Sequence, residues 1–296
     1  MVALDQQPDA PAVRRNGATA RRTRLDSTGV RAGVGPFPRQ GLGYHPASAA
    51  TPIRRQGPME ATLRSSQEVA EDTFELVLEP AGKVAFRAGQ YCRVQLPDLK
   101  YADRKASRKF SLVNAPHDER RVVIATRTGR TGYKRSLLAL EPGAAVEIQK
   151  VKGKLVLPTK PPRPVVMVAG GIGIVPFVSM LRDLEYHGTL RDVTLLYFNR
   201  TTRSAAYLEE LQAMAARQPG LRLLPVMTRE PGWEGETERV SKELFHRILP
   251  DVADHDYYVV GTPLMVEAAI DVLRASGVPK AQIQDEDFSG YEHRPA

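Results

Sequence analysis

The chain has 296 residues, 42% of them hydrophobic and 26% charged, which supplies apolar side chains for two cores and excludes disorder throughout. Its formal charge of +8 does not point to nucleic acid: residues 1–58 hold nine Arg, no Lys and three Asp without interleaved aromatics, while residues 59–296 hold 33 basic against 31 acidic side chains. The single cysteine, Cys92, excludes an intramolecular disulfide, an all-cysteine zinc site and a four-thiolate iron–sulfur cluster within this chain.

Residues 1–58 are rich in Arg, Ala, Gly, Pro and Ser with no sustained period, and are expected to form a disordered basic tail. We read them as a solvated tail or as sequence preceding a start at Met59, rather than as the organelle transit peptide whose acid-poor composition they share. No run reaches the roughly 20 apolar residues of a membrane span, and the beginning lacks the apolar core of a secretory signal, so a cytoplasmic location is expected.

Residues 59–158 carry short β-rich runs at Thr73–Leu78, Tyr91–Leu96, Lys109–Val113, Arg121–Thr126 and Val146–Ile148, separated by turn signals such as Pro80-Ala-Gly82 and Glu141-Pro-Gly143. This spacing predicts an antiparallel barrel or sandwich, with one helix at about Tyr133–Leu140. After a proline-rich linker over Pro158–Pro164, strands alternate with helices to the end of a second domain, residues 159–296. Strands are expected at Val165–Val168, Val193–Phe198, Leu221–Met227, Tyr257–Val260 and Gln282–Gln284, and helices at Val175–Glu185, Ser204–Ala216, Lys242–Leu249 and Leu264–Ala275. Such alternation implies right-handed crossovers and a Rossmann-like parallel sheet. The last helix has the best boundaries, with Thr262 as N-cap, Pro263 in the first turn and Gly277 beyond the end.

Two motifs could carry chemistry. In Val165-Val-Met-Val-Ala-Gly170-Gly171-Ile-Gly173-Ile174-Val-Pro176 a buried strand runs through glycines into a helix, where free N–H groups and the helix dipole could receive a phosphate. A third G-x-G-x-x-G glycine is missing, and a tight structural turn reads equally well. In Arg108-Lys109-Phe110-Ser111 a guanidinium could neutralise a diphosphate, an aromatic could cover a ring and a hydroxyl could donate to a ring nitrogen. By itself it reads more readily as a surface basic pair beside a core Phe. The six histidines show no paired ligand spacing, so no metal site is expected.

In order along residues 60–291, these two motifs stand with Phe86-Arg-Ala-Gly89-Gln90-Tyr91, Leu195-Leu-Tyr-Phe-Asn199-Arg200, Gly261-Thr-Pro-Leu-Met265 and Glu286-Asp-Phe288-Ser-Gly-Tyr291. The set resembles the ferredoxin–NADP reductase-like superfamily of two-domain flavoproteins, in a form without an iron–sulfur domain. The resemblance implies a barrel that binds FAD and an α/β domain that binds NAD(P)H. It implies hydride transfer from nicotinamide C4 to flavin N5, then electron delivery to a separate acceptor: a ferredoxin, flavodoxin, haem protein, quinone or small molecule.

Carried over, Arg108 would pair with the FAD diphosphate, and Phe110 would replace the usual tyrosine against the flavin, without its hydroxyl. Ser111 would face flavin N5, and Thr126, Gly132, Tyr133 and Lys134 would complete the FAD site. Gly170, Gly171, Gly173, Ile174 and Pro176 would form the nucleotide turn, with Gly261, Pro263 and Met265 opposite. In place of the family's Cys-Gly-Pro-Pro stands Val260-Gly261-Thr262-Pro263, so no thiol adjoins the nicotinamide. Glu286 and Phe288 match the acid and aromatic beside the flavin, although Phe288 could instead finish the last strand's packing. Asn199, Arg200 and Arg203, with no carboxylate before Glu209, favour NADPH over NADH, although solvated surface arginines would look the same. Rival readings are the reductase component of a multi-chain oxygenase, a non-catalytic flavin or nucleotide sensor, and a purely structural protein.

Overall fold

The structure is a computed structural model describing residues 57–249 and 251–288, and it contains two sheets within one compact unit. The first sheet is antiparallel: β1 (Met59–Ala70), β2 (Thr73–Pro80), β3 (Tyr91–Gln95), β4 (Ser107–Ser111), β5 (Val122–Arg127) and β6 (Ala145–Lys152). Their order is β4-β3-β6-β1-β2-β5, and the ends curl together through a Leu112–Ile124 bridge and a 2.8 Å hydrogen bond from the Val113 N–H to the Val123 carbonyl. Alternation drives the curl: in β3, Cys92 and Val94 point into the core, while Tyr91, Arg93 and Gln95 stay partly exposed. The inward set, with Leu76, Leu78, Leu112, Ile124 and Tyr133, fills the interior of this half-barrel. α1 (Gly132–Leu138) covers one end, capped by the Thr131 side chain.

The second sheet is parallel, with β7 (Val165–Gly170), β8 (Val193–Asn199), β9 (Leu221–Met227), β10 (Asp256–Gly261) and β11 (Ile283–Asp287) in the order β11-β10-β7-β8-β9. The near-continuous apolar runs of β7 and β10 fit central strands covered on both faces. α2 (Val175–Tyr186) and α3 (Leu208–Arg217) pack with the core of one face, and α4 (Lys242–Ile248) and α5 (Pro263–Ala275) with the other. The order turns back beside β7, and both expected strand–helix grammars are present.

Three differences have physical causes. β1 escapes the alternation rule because only Ala61 and Leu63 of its 12 residues are buried; backbone pairing with both β2 and β6 sustains it. α3 begins at Leu208 and not Ser204, because Thr202–Ser204 forms a single 3-10 turn and Tyr207 adopts φ 61°. Thr262 precedes α5 as expected but caps through its carbonyl, which accepts from the Met265 and Val266 N–H groups, with no side-chain bond. Gly277 at φ 86° does end α5. Apart from Gly57 and Pro58, the expected tail lies outside the described residues, as do Ser289–Tyr291 of the last motif. Among the described residues no helix is long and apolar enough to cross a membrane.

The two sheets are joined by specific bonds. The Ser179 hydroxyl on α2 donates to the Asn114 carbonyl at 2.7 Å, and Arg182 spans Glu210 at 2.7 Å and the Val113 carbonyl at 3.2 Å. Tyr207 donates to Glu75 at 2.8 Å, and Arg127 donates to the Ser204 carbonyl at 3.0 Å.

Candidate functional site

Two adjoining cavities of about 800 and 900 Å³ open where the sheets meet, sharing Thr131, Lys134, Ile172 and Phe288 in their walls. The larger is built on the outer side of β3 and β4: the outward residues of those strands, Tyr91, Arg93 and Lys109, line it with Phe110 and Ser111. Buried Ser111 Oγ has no hydrogen-bond partner among the described residues, a costly state for a hydroxyl that a polar ligand atom would relieve. Lys109 sits over the Tyr91 ring at 5.1 Å. Across the cavity, β11 presents Asp285, Glu286 and Asp287, followed by Phe288. Burial raises the Glu286 pKa despite the opposing charge of Lys109.

The other cavity lies at the carboxyl ends of β7, β8 and β10, where the strand order reverses. Arg127, Arg130, Lys134, Arg200 and Arg239 line it, and no carboxylate does so among the described lining residues. Lys134 is buried, and that burial, with the neighbouring charges of Arg108 and Arg127, lowers its pKa from 10.5 to about 8. Asn199 at the end of β8 has neither side-chain amide atom hydrogen-bonded among the described residues.

Of the sequence-predicted residues, Arg108, Phe110, Ser111, Lys134, Glu286 and Phe288 reach the first cavity, and Lys134, Gly170, Gly171, Asn199, Arg200, Gly261, Met265 and Phe288 reach the second. The others line neither cavity. Tyr133 is a core residue whose hydroxyl donates to the Val94 carbonyl at 2.9 Å. Ile174 and Pro176 are buried at the start of α2, and Pro263 opens α5 outside the cavity wall. Thr126 is fully buried, its hydroxyl bonded to the Arg127 carbonyl at 3.2 Å. Arg203 points outward to Glu71 at 3.2 Å with its side chain 80% exposed.

The glycines divide in the same way. Gly171 is needed for its φ of 53°, whereas a Cβ on Gly173 would overlap the Val260 carbonyl and one on Gly132 the Ala102 carbonyl. Close backbone packing therefore requires glycine at both Gly173 and Gly132. Sequence reasoning missed Arg127, Arg130 and Arg239, although Arg127-Thr-Gly-Arg130-Thr-Gly132 is a legible basic, glycine-containing run beside a helix start.

With this geometry in hand, residues 167–271 match the family described as the oxidoreductase NAD-binding domain. A ferredoxin NADP+ reductase from Neisseria gonorrhoeae, solved with bound FAD and NADP, superposes with a TM-score of 0.67 at 19% identity, covering 78% of this chain and 99% of that one. The chain shares the two-sheet fold of that reductase. By sequence, the chain is 28% identical to a component of the Na(+)-translocating NADH-quinone reductase of Methylococcus capsulatus, over 78% of this chain and 68% of that protein. It is 27% identical to the ferredoxin–NAD(P)(+) reductase component of the naphthalene 1,2-dioxygenase/salicylate 5-hydroxylase systems of Ralstonia sp., over 78% and 69% of the two chains.

Proposed function

We propose that the chain is an FAD-dependent NAD(P)H oxidoreductase that delivers electrons to a separate redox-protein or small-molecule acceptor. The observation that carries this reading is the pair of cavities meeting at Phe288 and Lys134, one whose charged lining residues are all cations and one holding the orphaned Ser111 hydroxyl. That donor set fits a flavin nucleotide against β3 and β4 and a nicotinamide nucleotide at the strand ends. Both relatives' names describe such electron transfer, and the Ralstonia protein is a reductase component serving oxygenase systems. FAD, when bound, would supply the hydride-accepting and electron-releasing chemistry.

The chain's own groups bind and orient. Ser111 would offer its hydroxyl to a polar edge atom of the flavin, Phe110 and Phe288 would exclude water, and the five cations would hold nucleotide phosphates. Glu286, its pKa raised by burial, would be the acid closest to proton exchange at this site. The division at residue 158 into a FAD-binding barrel domain and an NAD(P)-binding α/β domain belongs to this reading, as does residence in the cytoplasm, which a lone cysteine suits.

We favour NADPH as donor because Arg200 and Arg239 both face the nucleotide cavity and could take an extra phosphate, a role from which outward-pointing Arg203 is released. Steady-state ferricyanide reduction tests the assignment. Turnover with NADPH is expected to exceed that with NADH, and Arg239→Ala should raise KM for NADPH about tenfold more than KM for NADH, the loss of one charge-assisted contact. Equal effects on both nucleotides would remove the preference, and absence of turnover with either would remove the enzyme.

A further inference from the structure

The cationic wall of the flavin cavity contains Arg104, Lys105 and Arg108, the side chains that would meet the nucleotide's phosphates. On that wall the structure also places Asp103. Its carboxylate bonds Arg108 Nη2 at 2.7 Å and accepts the Tyr133 N–H at 2.9 Å and the Lys105 N–H at 3.2 Å. Arg108 Nη1 is committed as well, to the Lys105 and Ser107 carbonyls at 2.8 and 2.9 Å. The guanidinium is thus neutralised and oriented before any ligand arrives.

Asp103 is pinned there. The Tyr101 N–H donates to Ser136 Oγ at 2.9 Å, and the Ala102 carbonyl lies so close to Gly132 that a Cβ would overlap it. The Asp103 side chain is only 9% exposed, yet it stays ionised: burial opposes the charge, but the Tyr133 and Arg108 hydrogen bonds outweigh it and hold the pKa at about 2. A phosphate approaching Arg108 must meet this second anion.

We propose that Asp103 sets how tightly the pocket retains a flavin nucleotide, orienting Arg108 in the free protein and repelling the nucleotide's phosphates when they bind. The inference rests on the flavin reading above and deepens it: the flavin becomes an exchangeable occupant. Nothing in the Arg108-Lys109-Phe110-Ser111 motif alone indicates such a carboxylate five residues upstream.

The test is fluorescence titration of the deflavinated full chain with FAD, FMN and riboflavin. Asp103→Asn keeps one acceptor oxygen for the Tyr133 N–H and removes the charge together with the second acceptor, the one that holds Arg108 and Lys105. It is expected to lower Kd for FAD and FMN about tenfold, the size of one screened charge–charge interaction, and to leave riboflavin, which lacks phosphate, unchanged. The riboflavin arm also reports whether the variant pocket is intact. A weakened FAD affinity in Asp103→Asn would mean that Asp103 only positions Arg108, and would overturn the proposal. Equal shifts for all three flavins would overturn it too, since packing and not charge would then have changed. If wild type and variant both take up none of the three, the flavin reading falls and this inference with it.

Discussion

At the scale of the residue, Lys134 concentrates the electrostatics of the molecule. It lines both cavities, and its pKa of about 8 lies in the range where binding is measured. The folded chain releases this proton at lower pH than the unfolded chain, so the cost of burying the charge is full below about 8 and lifts between about 8 and 10.5. An incoming phosphate reverses the balance and draws the proton back. Nucleotide binding at pH 8.5 is therefore expected to take up a fraction of a proton, read as the buffer dependence of calorimetric enthalpy, and Lys134→Met should abolish it. Binding without uptake in the wild type would contradict a phosphate beside Lys134. Lys134 was legible only by resemblance; Arg127 and Arg130 stand in a legible basic run, but nothing local tells which cavity they line, because their partners in its wall come from strands as distant in sequence as Gly170 and Gly261. Cys92 is the opposite case: it is buried among the half-barrel's apolar side chains, and burial pushes its thiol up to about 12, so it stands apart from the chemistry.

At the scale of the element, local pattern was a good guide wherever one face of a strand or helix is buried. β7, β8 and β10 announce themselves as apolar runs, and α5 by its proline start and glycine stop. β1 does not, since its pairing is a backbone property that leaves no alternation in Arg64–Glu68. Glycine was the ambiguous signal, because a glycine that admits a ligand and one that admits another backbone look alike in sequence. Gly132 belongs to the second kind. Gly132→Ala is expected to cost about 1–3 kcal/mol by overpacking against the Ala102 carbonyl. Thermal unfolding should register this as about 2–4 °C for each kcal/mol lost. An unchanged midpoint would mean that the 101–103 segment yields readily, which would also loosen the hold on Asp103.

At the scale of the whole molecule, function depends on two sheets being held in one arrangement. Ser179, Arg182 and Tyr207 lock α2 and the start of α3 to the half-barrel, and Arg127 from β5 reaches the Ser204 carbonyl while lining the cavity at the strand ends. The order of motifs along the chain foretold both sheets, but not these cross-links, whose partners lie 65 to 132 residues apart. Their consequence is that both cavities open onto Phe288. The most direct test of this account is the visible spectrum of the FAD-reconstituted chain, recorded anaerobically before and after NADPH and then NADH. Flavin bands that bleach on adding a nicotinamide nucleotide are the expected result. A chain that takes up no FAD, or that holds FAD which neither nucleotide bleaches, would contradict it.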